Sequence, residues 1–265
     1  MKKFNERSIF MRNERLGKYK DRLLGLIPEK RIVTVNISRP PRWIIEEFKK
    51  LKGLTPTVSD ILDSMGINGA ISASVIKPLQ QDKMIVGSAI TLRYILERNT
   101  ITSLFVEKAK AKLADRDLYA VSESGDVAVF DVGGQIISTQ GGLSTLMAKR
   151  ANLAGNIVDG GVRDVEDIRE LDYPVWARGV TPITGKYRLE AIEINGPIMC
   201  CDVQVYPGDL VIADDTGIVF IPSNKSEEVL AKAKAAIERE NKIIEAINKG
   251  AKIGEFREIF PADKW

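Results

Sequence analysis

The stretch GGLSTLMAKRANLAGNIVDGGVRDVED, residues 141–167, decides the fold. It begins with a glycine pair, continues into a helical pattern over residues 143–153, and passes through Gly155 into the apolar run NIVD. A second glycine pair then precedes a helix predicted at about residues 165–171. Helix, strand, glycine turn and helix in this order are typical of a sheet with helices packed on it.

The two glycine turns of this stretch have features of a binding site. Gly141 and Gly142 lack a Cβ, so backbone N–H groups at the start of the helix can approach an anion closely. After the second turn, Arg163 could hold a carboxylate and Asp164 a hard divalent cation. The structural alternative is a turn followed by exposed polar residues at a helix start. Because ligands of open α/β sheets bind at strand ends, and both turns should lie close together, we favour a site.

Strand-like runs lie on both sides of this stretch. The run VAVFDV is almost continuously apolar, as expected for a strand covered on both faces. A helix is predicted at about residues 103–114, and the pair Asp214 and Asp215 is interpreted as a turn. The sequence therefore predicts a layered α/β sandwich with a mixed sheet. The strand-like runs are MIVGSAITLRYI, DLYAVS, DVAVFDVGG, IIST, NIVD, PVWARG, AIEIN, VQVYPG, LVIADD and IVFIP.

The two ends of the chain are predicted to be helical. Residues 1–50 are expected to form a peripheral, mostly helical extension, with residues 51–265 as the main domain. The boundary is placed near the Pro40–Pro41 pair, because consecutive prolines favour extended backbone. Residues 225–249 form a long amphipathic pattern that ends at a glycine.

A shorter amphipathic helix is predicted within TPTVSDILDSMG, residues 55–66. Thr57 or Ser59 is its expected N-cap, because both side chains can accept a hydrogen bond from a free helical N–H. Gly66 is its expected C-terminal stop.

Composition and charge bear on the expected partners and compartment of the protein. The 265 residues include 39 basic and 36 acidic side chains, and a net charge of +3 provides no electrostatic argument for nucleic-acid or membrane binding. We find no apolar run long enough to span a bilayer and no secretory signal, so the cytoplasm is the expected compartment. The basic excess lies mainly in the first thirty residues, at Lys2, Lys3, Arg7, Arg12, Arg15, Lys18, Lys20 and Arg22.

The chain contains no histidine, which excludes Ser-His-Asp and Cys-His catalysis and every His-ligated metal site. Its two cysteines, Cys200 and Cys201, are neighbours, so we expect reduced thiols rather than a disulfide framework. A metal site built on this pair is disfavoured, because neither a third cysteine nor a histidine is present to complete it.

The spacing of residues in the opening stretch resembles a known family. Gly142 is followed by twenty residues, then by Arg163 and Asp164, and after two more residues by Asp167. This pattern resembles the 4-hydroxy-4-methyl-2-oxoglutarate aldolases and their relatives, which include the regulator of ribonuclease activity A. Further matches bring the resemblance to about residues 55–245; they are VGSAITLR, SGDVAVFDVGG and YPGDLVIADDTGIVFIP.

The resemblance implies an αββα sandwich with a mixed central sheet, assembled as a homotrimer or homohexamer with sites between subunits. It implies Mg²⁺ or Mn²⁺ held by Asp164 and otherwise largely by water. Many aldolases of the family carry an acid where this chain has Gly142, so the metal site is expected to differ here. The implied pyruvoyl-binding groups are Arg163 and the loop residues Gly141, Gly142, Leu143 and Ser144; the candidates for an acid from a neighbouring subunit, otherwise solvated helix carboxylates, are Glu238 and Glu240.

The resemblance implies a lyase that cleaves a 4-hydroxy-2-oxo acid to pyruvate, with decarboxylation of oxaloacetate as a second activity. Both reactions form a pyruvate enolate, which a metal and an arginine can stabilise without histidine. A Schiff base on Lys149 or Lys186 would need a desolvated lysine and is disfavoured. The alternative function is a non-catalytic regulator that binds ribonuclease E or a similar protein.

Overall fold

Helices and strands are both present in the described part of the chain, which in this computed structural model comprises residues 16–252 and residue 254, and they alternate strictly from residue 115 to residue 180. The basic residues within the first fifteen positions lie outside the described part of the chain. The α-helices are α1 Arg42–Lys49, α2 Leu54–Ser64, α3 Ile101–Val106, α4 Asp115–Ala120, α5 Gly142–Arg150, α6 Val165–Glu170 and α7 Ser226–Asn248. The strands are β1 Ala70–Ser72, β2 Lys77–Pro78, β3 Ile85–Leu96, β4 Val127–Asp131, β5 Gly155–Val162, β6 Val175–Val180, β7 Leu189–Ile194, β8 Ile198–Cys200, β9 Val203–Val205, β10 Leu210–Ala213 and β11 Gly217–Ile221.

Nine of these strands form one mixed sheet in the order β1-β11-β10-β3-β4-β5-β6-β2, with β7 also paired to β3. The long strand β3 connects its two halves. Its first residues pair antiparallel with β10, from Ile85 to Ser88, and the next pair parallel with β4, from Ala89 to Arg93. The parallel strands β4, β5 and β6 follow, so their carboxyl ends lie at the same edge.

The pleat of the strands creates four layers. Val127 and Val129 of β4 point into a core shared with β10 and β11, whereas Ala128 and Phe130 point to the opposite face. That opposite face is covered by α4, α5 and α6. The outer face of β10 and β11 is covered by α1, α2 and α7. Two helix layers therefore enclose two sheet halves, which confirms the predicted αββα sandwich with a mixed sheet.

Two predicted strands are absent from the residues that the structure describes. DLYAVS lies in and just after α4, because Ala114, Leu118 and Val121 are all buried at helical spacing and pack under the sheet. IIST is irregular, with isolated bridges at Ser138 only. Its backbone groups instead form hydrogen bonds with Gly161 and with the loop between β6 and β7. In that loop, the N–H of Gly185 donates to the carbonyl of Ser138.

Two helix predictions also need correction. The helix α2 begins at Leu54 after Gly53, and neither Thr57 nor Ser59 caps it. Leu54, Val58 and Ile61 are buried at helical spacing, and Pro56 is tolerated in the first turn. The helix predicted over residues 103–114 is instead the shorter helix α3, Ile101–Val106.

The predicted long C-terminal helix is confirmed by α7. The predicted turn at Asp214 is also confirmed, because two backbone N–H groups donate to Oδ1 of Asp214.

The described part of the N-terminal segment is not peripheral. Leu16, Tyr19 and Ile32 are buried in the core beside α4, and Ile44 and Phe48 of α1 are buried beside α2 and α7. Extended stretches connect α1 to two short 3₁₀ helices, Gly17–Arg22 and Glu29–Arg31. No helix within residues 16–252 combines the length and the apolar character needed to cross a bilayer.

Candidate active site

A pocket of about 390 Å³ lies beside the start of α5 and the loop that follows β5. Its lining includes Gly141, Leu143 and Ser144 from the first glycine turn and Arg163 and Asp164 from the second. The structure therefore brings together residues that are about twenty positions apart in the chain. They meet because α5 packs back on the sheet and β5 returns the chain to the helix start.

Asp164 connects the two turns. It occupies the left-handed region, with φ +51°, directly before α6. Its Oδ2 accepts a hydrogen bond from the N–H of Gly142 at 3.1 Å and lies 3.5 Å from Nε of Arg163. The N–H of Arg163 donates to the carbonyl of Gln140 at 3.1 Å. These contacts hold the carboxylate and the guanidinium at the pocket, and about two fifths of each side chain stays exposed, 45% for Arg163 and 39% for Asp164.

The glycines are required by the close approach of the second turn. A Cβ on Gly141 would lie 2.1 Å from Oδ2 of Asp164, and a Cβ on Gly142 would lie 2.3 Å from Oδ2 of Asp167. An acid at position 142 therefore cannot coexist with Asp167 in this position. Asp167, which also lines the pocket, occupies the space that such a side chain would need.

A chain of hydrogen-bonded polar groups lies beneath the pocket, and of its members only Ser144 was identified from the sequence. The Ser144 hydroxyl donates to Oδ2 of Asp115 at 2.5 Å and shares a 3.1 Å hydrogen bond with the hydroxyl of Tyr119. Asn156 donates to Tyr119 at 3.1 Å and accepts from Tyr173 at 2.8 Å. No local pattern marks these residues, because α4 and β5 come together only in the folded chain.

Burial sets the protonation of this network. Desolvation raises the pKa of Asp115, and the hydrogen bond from Ser144 opposes that effect. Desolvation also raises the pKa of Tyr119 and of Tyr173, so both remain neutral phenols. Beside them, the buried Thr139 Oγ1 and Gln140 Nε2 have no hydrogen-bond partner among the residues that the structure describes, and both residues line the pocket.

The residues present fit a largely hydrated divalent cation. Within residues 16–252 and 254, no group of three His, Cys, Asp or Glu side chains could hold a metal ion together. The pocket instead presents the carboxylates of Asp164 and Asp167. Mg²⁺ is bound in this manner in many proteins, through one or two carboxylates with water completing the octahedron.

The other candidate residues lie away from this pocket within one chain. Glu238 and Glu240 are on α7, in the opposite helix layer, and Glu238 pairs with Lys242 at 2.8 Å. Lys149 is exposed and donates to the carbonyl of Leu171, and Lys186 is exposed over the ring of Tyr187. Neither lysine is desolvated, so the Schiff-base alternative has no support.

The two cysteines lie at the turn between β8 and β9, away from the pocket lining. The N–H of Cys201 donates to Oδ2 of the buried Asp159 at 2.8 Å, and Arg178 donates to the other oxygen of that carboxylate. Both thiols are free and buried. The pair therefore belongs to a structural cluster beneath the β8–β9 hairpin.

Comparison with known proteins places this geometry in a family. The sequence model of the RraA-like family, described as Aldolase/RraA, matches residues 55–220. Protein DlpA of Legionella pneumophila is 36% identical over 204 residues, which are 77% of this chain and 32% of that protein, so the chain spans about a third of this relative. A Halalkalibacterium halodurans protein with the provisional name 4-hydroxy-4-methyl-2-oxoglutarate aldolase is 36% identical over 190 residues, covering 72% of this chain and 81% of that protein.

A solved structure agrees with this assignment. Streptomyces coelicolor RraAS2, described as an unusual member of the RNase ES inhibitor RraA protein family, superposes with a TM-score of 0.65 at 27% identity. The match covers 77% of this chain and 96% of that one. The layered fold, the family match and these relatives together show that the chain belongs to the RraA-like (Aldolase/RraA) family.

Proposed function

We propose that this protein is a divalent-metal-dependent lyase that cleaves a 4-hydroxy-2-oxo acid, similar to 4-hydroxy-4-methyl-2-oxoglutarate, to pyruvate. The observation that carries the proposal is the placement of the Asp164 carboxylate against the N–H of Gly142, with Arg163 beside it in one pocket. An anion anchor and a hard-cation ligand held side by side suit the formation of an enolate. Aldolase names among the relatives support the same reaction class.

Each group has a distinct role in this proposal. Arg163 binds the substrate carboxylate, since a guanidinium can donate two parallel hydrogen bonds to it. The N–H groups of Leu143 and Ser144 lie in the first turn of α5, where the helix supplies no acceptor, and bind the pyruvoyl oxygens. Asp164, assisted by water, would hold Mg²⁺ or Mn²⁺, which supplies Lewis acidity toward the 2-oxo group.

Decarboxylation of oxaloacetate is the expected second reaction, because loss of CO₂ forms the same pyruvate enolate.

We also propose that the active assembly is a homotrimer or homohexamer in which Glu238 or Glu240 of a neighbouring subunit approaches the pocket. Leu143, with 81% of its surface exposed beside the pocket, supports a covering partner at this place. Light scattering of the purified protein measures the assembly, and a monomer would contradict this part of the proposal.

The test follows pyruvate release from 4-hydroxy-4-methyl-2-oxoglutarate and from oxaloacetate, with Mg²⁺, with EDTA, and after Mg²⁺ is restored. Asp164→Ala is the diagnostic variant, and Glu170→Ala, which removes an exposed carboxylate at the end of α6 and outside the pocket, is its matched control. We expect activity to require Mg²⁺, to vanish in Asp164→Ala and to persist in Glu170→Ala. Activity that resists EDTA, or full activity in Asp164→Ala, would contradict the proposal.

The absence of pyruvate release from both substrates would overturn the proposed lyase. In that case, binding to ribonuclease E tests the alternative that the chain is a non-catalytic regulator. The variants Asp164→Ala and Glu170→Ala distinguish the lyase from the regulator, because a protein-binding surface has no chemical need of a metal ligand at Asp164.

A further inference from the structure

A carboxyl group outside the family motif lines the same pocket as Arg163 and Asp164. Asp115 begins α4, and only 3% of its surface is exposed. Its Oδ2 accepts the 2.5 Å hydrogen bond from Ser144, which belongs to the glycine loop. The third pocket carboxylate, Asp167, is exposed, so Asp115 is the buried one of the three.

The surroundings of Asp115 suit a group that gains and loses a proton. Burial raises its pKa, whereas Ser144 and the guanidinium of Arg116, whose Nε lies 3.9 Å away, oppose the rise. Tyr94 of β3 and Tyr119 of α4 also face it, and burial raises the pKa of both phenols, so neither competes for the proton at neutral pH. Such tuning by burial is typical of general acid–base groups.

Several other groups that could transfer a proton are unsuited. The chain contains no histidine, and Lys149 and Lys186 lie outside the pocket lining. Arginine does not exchange its proton at physiological pH. Asp164 is engaged by Gly142 and is assigned to the metal.

We infer that Asp115 moves the proton of the lyase reaction, an inference that rests on the proposed function. Its carboxylate takes the proton of the 4-hydroxyl, and the electrons of that O–H bond form the carbonyl of the leaving 2-oxo acid. The C3–C4 bond breaks, and its electron pair forms the C2–C3 double bond of the pyruvate enolate. The protonated Asp115 then returns the proton to C3, the 2-oxo group re-forms, and Asp115 is a carboxylate again.

Ser144 acts as a positioning residue for this carboxyl. Its hydroxyl is fixed from the other side by Tyr119, which is in turn held by Asn156. The network therefore fixes one oxygen of Asp115 without using an ionisable group of the pocket.

The test compares Asp115→Asn with the wild type in three assays: cleavage of the 4-hydroxy-2-oxo acid, CO₂ release from oxaloacetate, and exchange of the methyl protons of pyruvate in D₂O followed by NMR. Asparagine preserves the shape of the aspartate side chain, and its amide oxygen can still accept the hydrogen bond from the Ser144 hydroxyl. We expect kcat for cleavage and the rate of methyl exchange to fall about 100-fold or more, with KM changed less than about 3-fold. Release of CO₂ should fall far less, because that step removes no proton from the substrate.

A second variant keeps the inference testable if Asp115→Asn does not fold, as judged by circular dichroism. Ser144→Ala should slow cleavage and methyl exchange about 10-fold while slowing CO₂ release less. In the wild type, kcat for cleavage should fall at acid pH as Asp115 becomes protonated, and Asp115→Asn should lack this limb. Equal loss of all three activities, or cleavage at the wild-type rate in the variants, would overturn the role of Asp115. An inactive wild type in the same assays would instead overturn the proposed lyase.

Discussion

The backbone N–H of Gly142 donates to Oδ2 of Asp164 at 3.1 Å, across 22 positions of sequence. This contact joins the first residue of α5 to the residue before α6 and so sets the orientation of a carboxylate at the pocket. It is possible because neither Gly141 nor Gly142 has a Cβ that would push the second turn away. The geometry of the site therefore depends on small residues as much as on charged ones.

Gly142→Ala should disturb the site through Asp167. The added Cβ would lie 2.3 Å from Oδ2 and 2.8 Å from Cβ of Asp167, so α6 has to shift. We expect a loss of about 1–3 kcal/mol in the free energy of unfolding, together with reduced lyase activity. Urea denaturation measures the first effect. In the double variant Gly142→Ala/Asp167→Gly the steric conflict is absent, and simple additivity of the two stability losses would contradict this explanation.

Asp164→Asn should separate folding from function. Asparagine tolerates the left-handed backbone and still offers an oxygen to the N–H of Gly142. We expect the free energy of unfolding to change by less than about 1 kcal/mol, because the hydrogen bond is retained. Activity should nevertheless lose its response to Mg²⁺, since the anionic ligand is gone. A variant that is still activated by Mg²⁺ would exclude Asp164 as the metal ligand.

Arg163→Lys should weaken substrate binding although the charge is retained. An ammonium group cannot make the two parallel hydrogen bonds that a guanidinium makes to a carboxylate. We expect KM for the 2-oxo acid to rise about tenfold, the cost of roughly one charge-assisted hydrogen bond. Arg150→Lys, on the exposed end of α5 and outside the pocket, is the control. A wild-type KM for both variants in steady-state kinetics would exclude Arg163 as the group that binds the substrate carboxylate.

Arg39→Ala tests whether the N-terminal segment is integral to the fold. Arg39 donates two hydrogen bonds, of 2.8 and 2.7 Å, to the carboxylate of Asp126, whose side chain is only 2% exposed. Removal of the guanidinium leaves a buried carboxylate without its cation, which should cost about 3 kcal/mol of unfolding free energy. Arg42→Ala, at an exposed position nearby, should be close to neutral in the same denaturation experiment.

The cysteine pair should be unreactive in the folded protein. Cys200 and Cys201 are buried, and the hydrogen bond between their thiols, with burial, raises the pKa of Cys200 well above its ordinary value. Since the thiolate is the reactive form, a thiol reagent such as dithionitrobenzoate should react slowly at pH 8 and modify both thiols after unfolding. Rapid modification of the folded protein would show that the β8–β9 hairpin opens readily.

Pattern alone was sufficient for the layers of the fold. The almost continuously apolar run VAVFDV predicts a strand with two covered faces, and the spacing of Gly142, Arg163 and Asp164 identified the residues that meet at the pocket. These features are readable because strand and helix periods are properties of the local backbone. The same reasoning failed for DLYAVS, since its apolar residues fit both periods and only packing beneath the sheet selects the helix.

The sequence by itself thus determined the layered α/β architecture, the family and the charged groups of the candidate site. Tertiary structure alone decided that Asp115 lies in that pocket, that Asp167 excludes a side chain at Gly142, and that part of the N-terminal segment enters the core. The physical reason is the distance along the chain over which each kind of interaction acts. Periodicity and turn chemistry act between neighbours in the chain, whereas these three facts depend on contacts between residues far apart in sequence, whose distances only the packed chain sets.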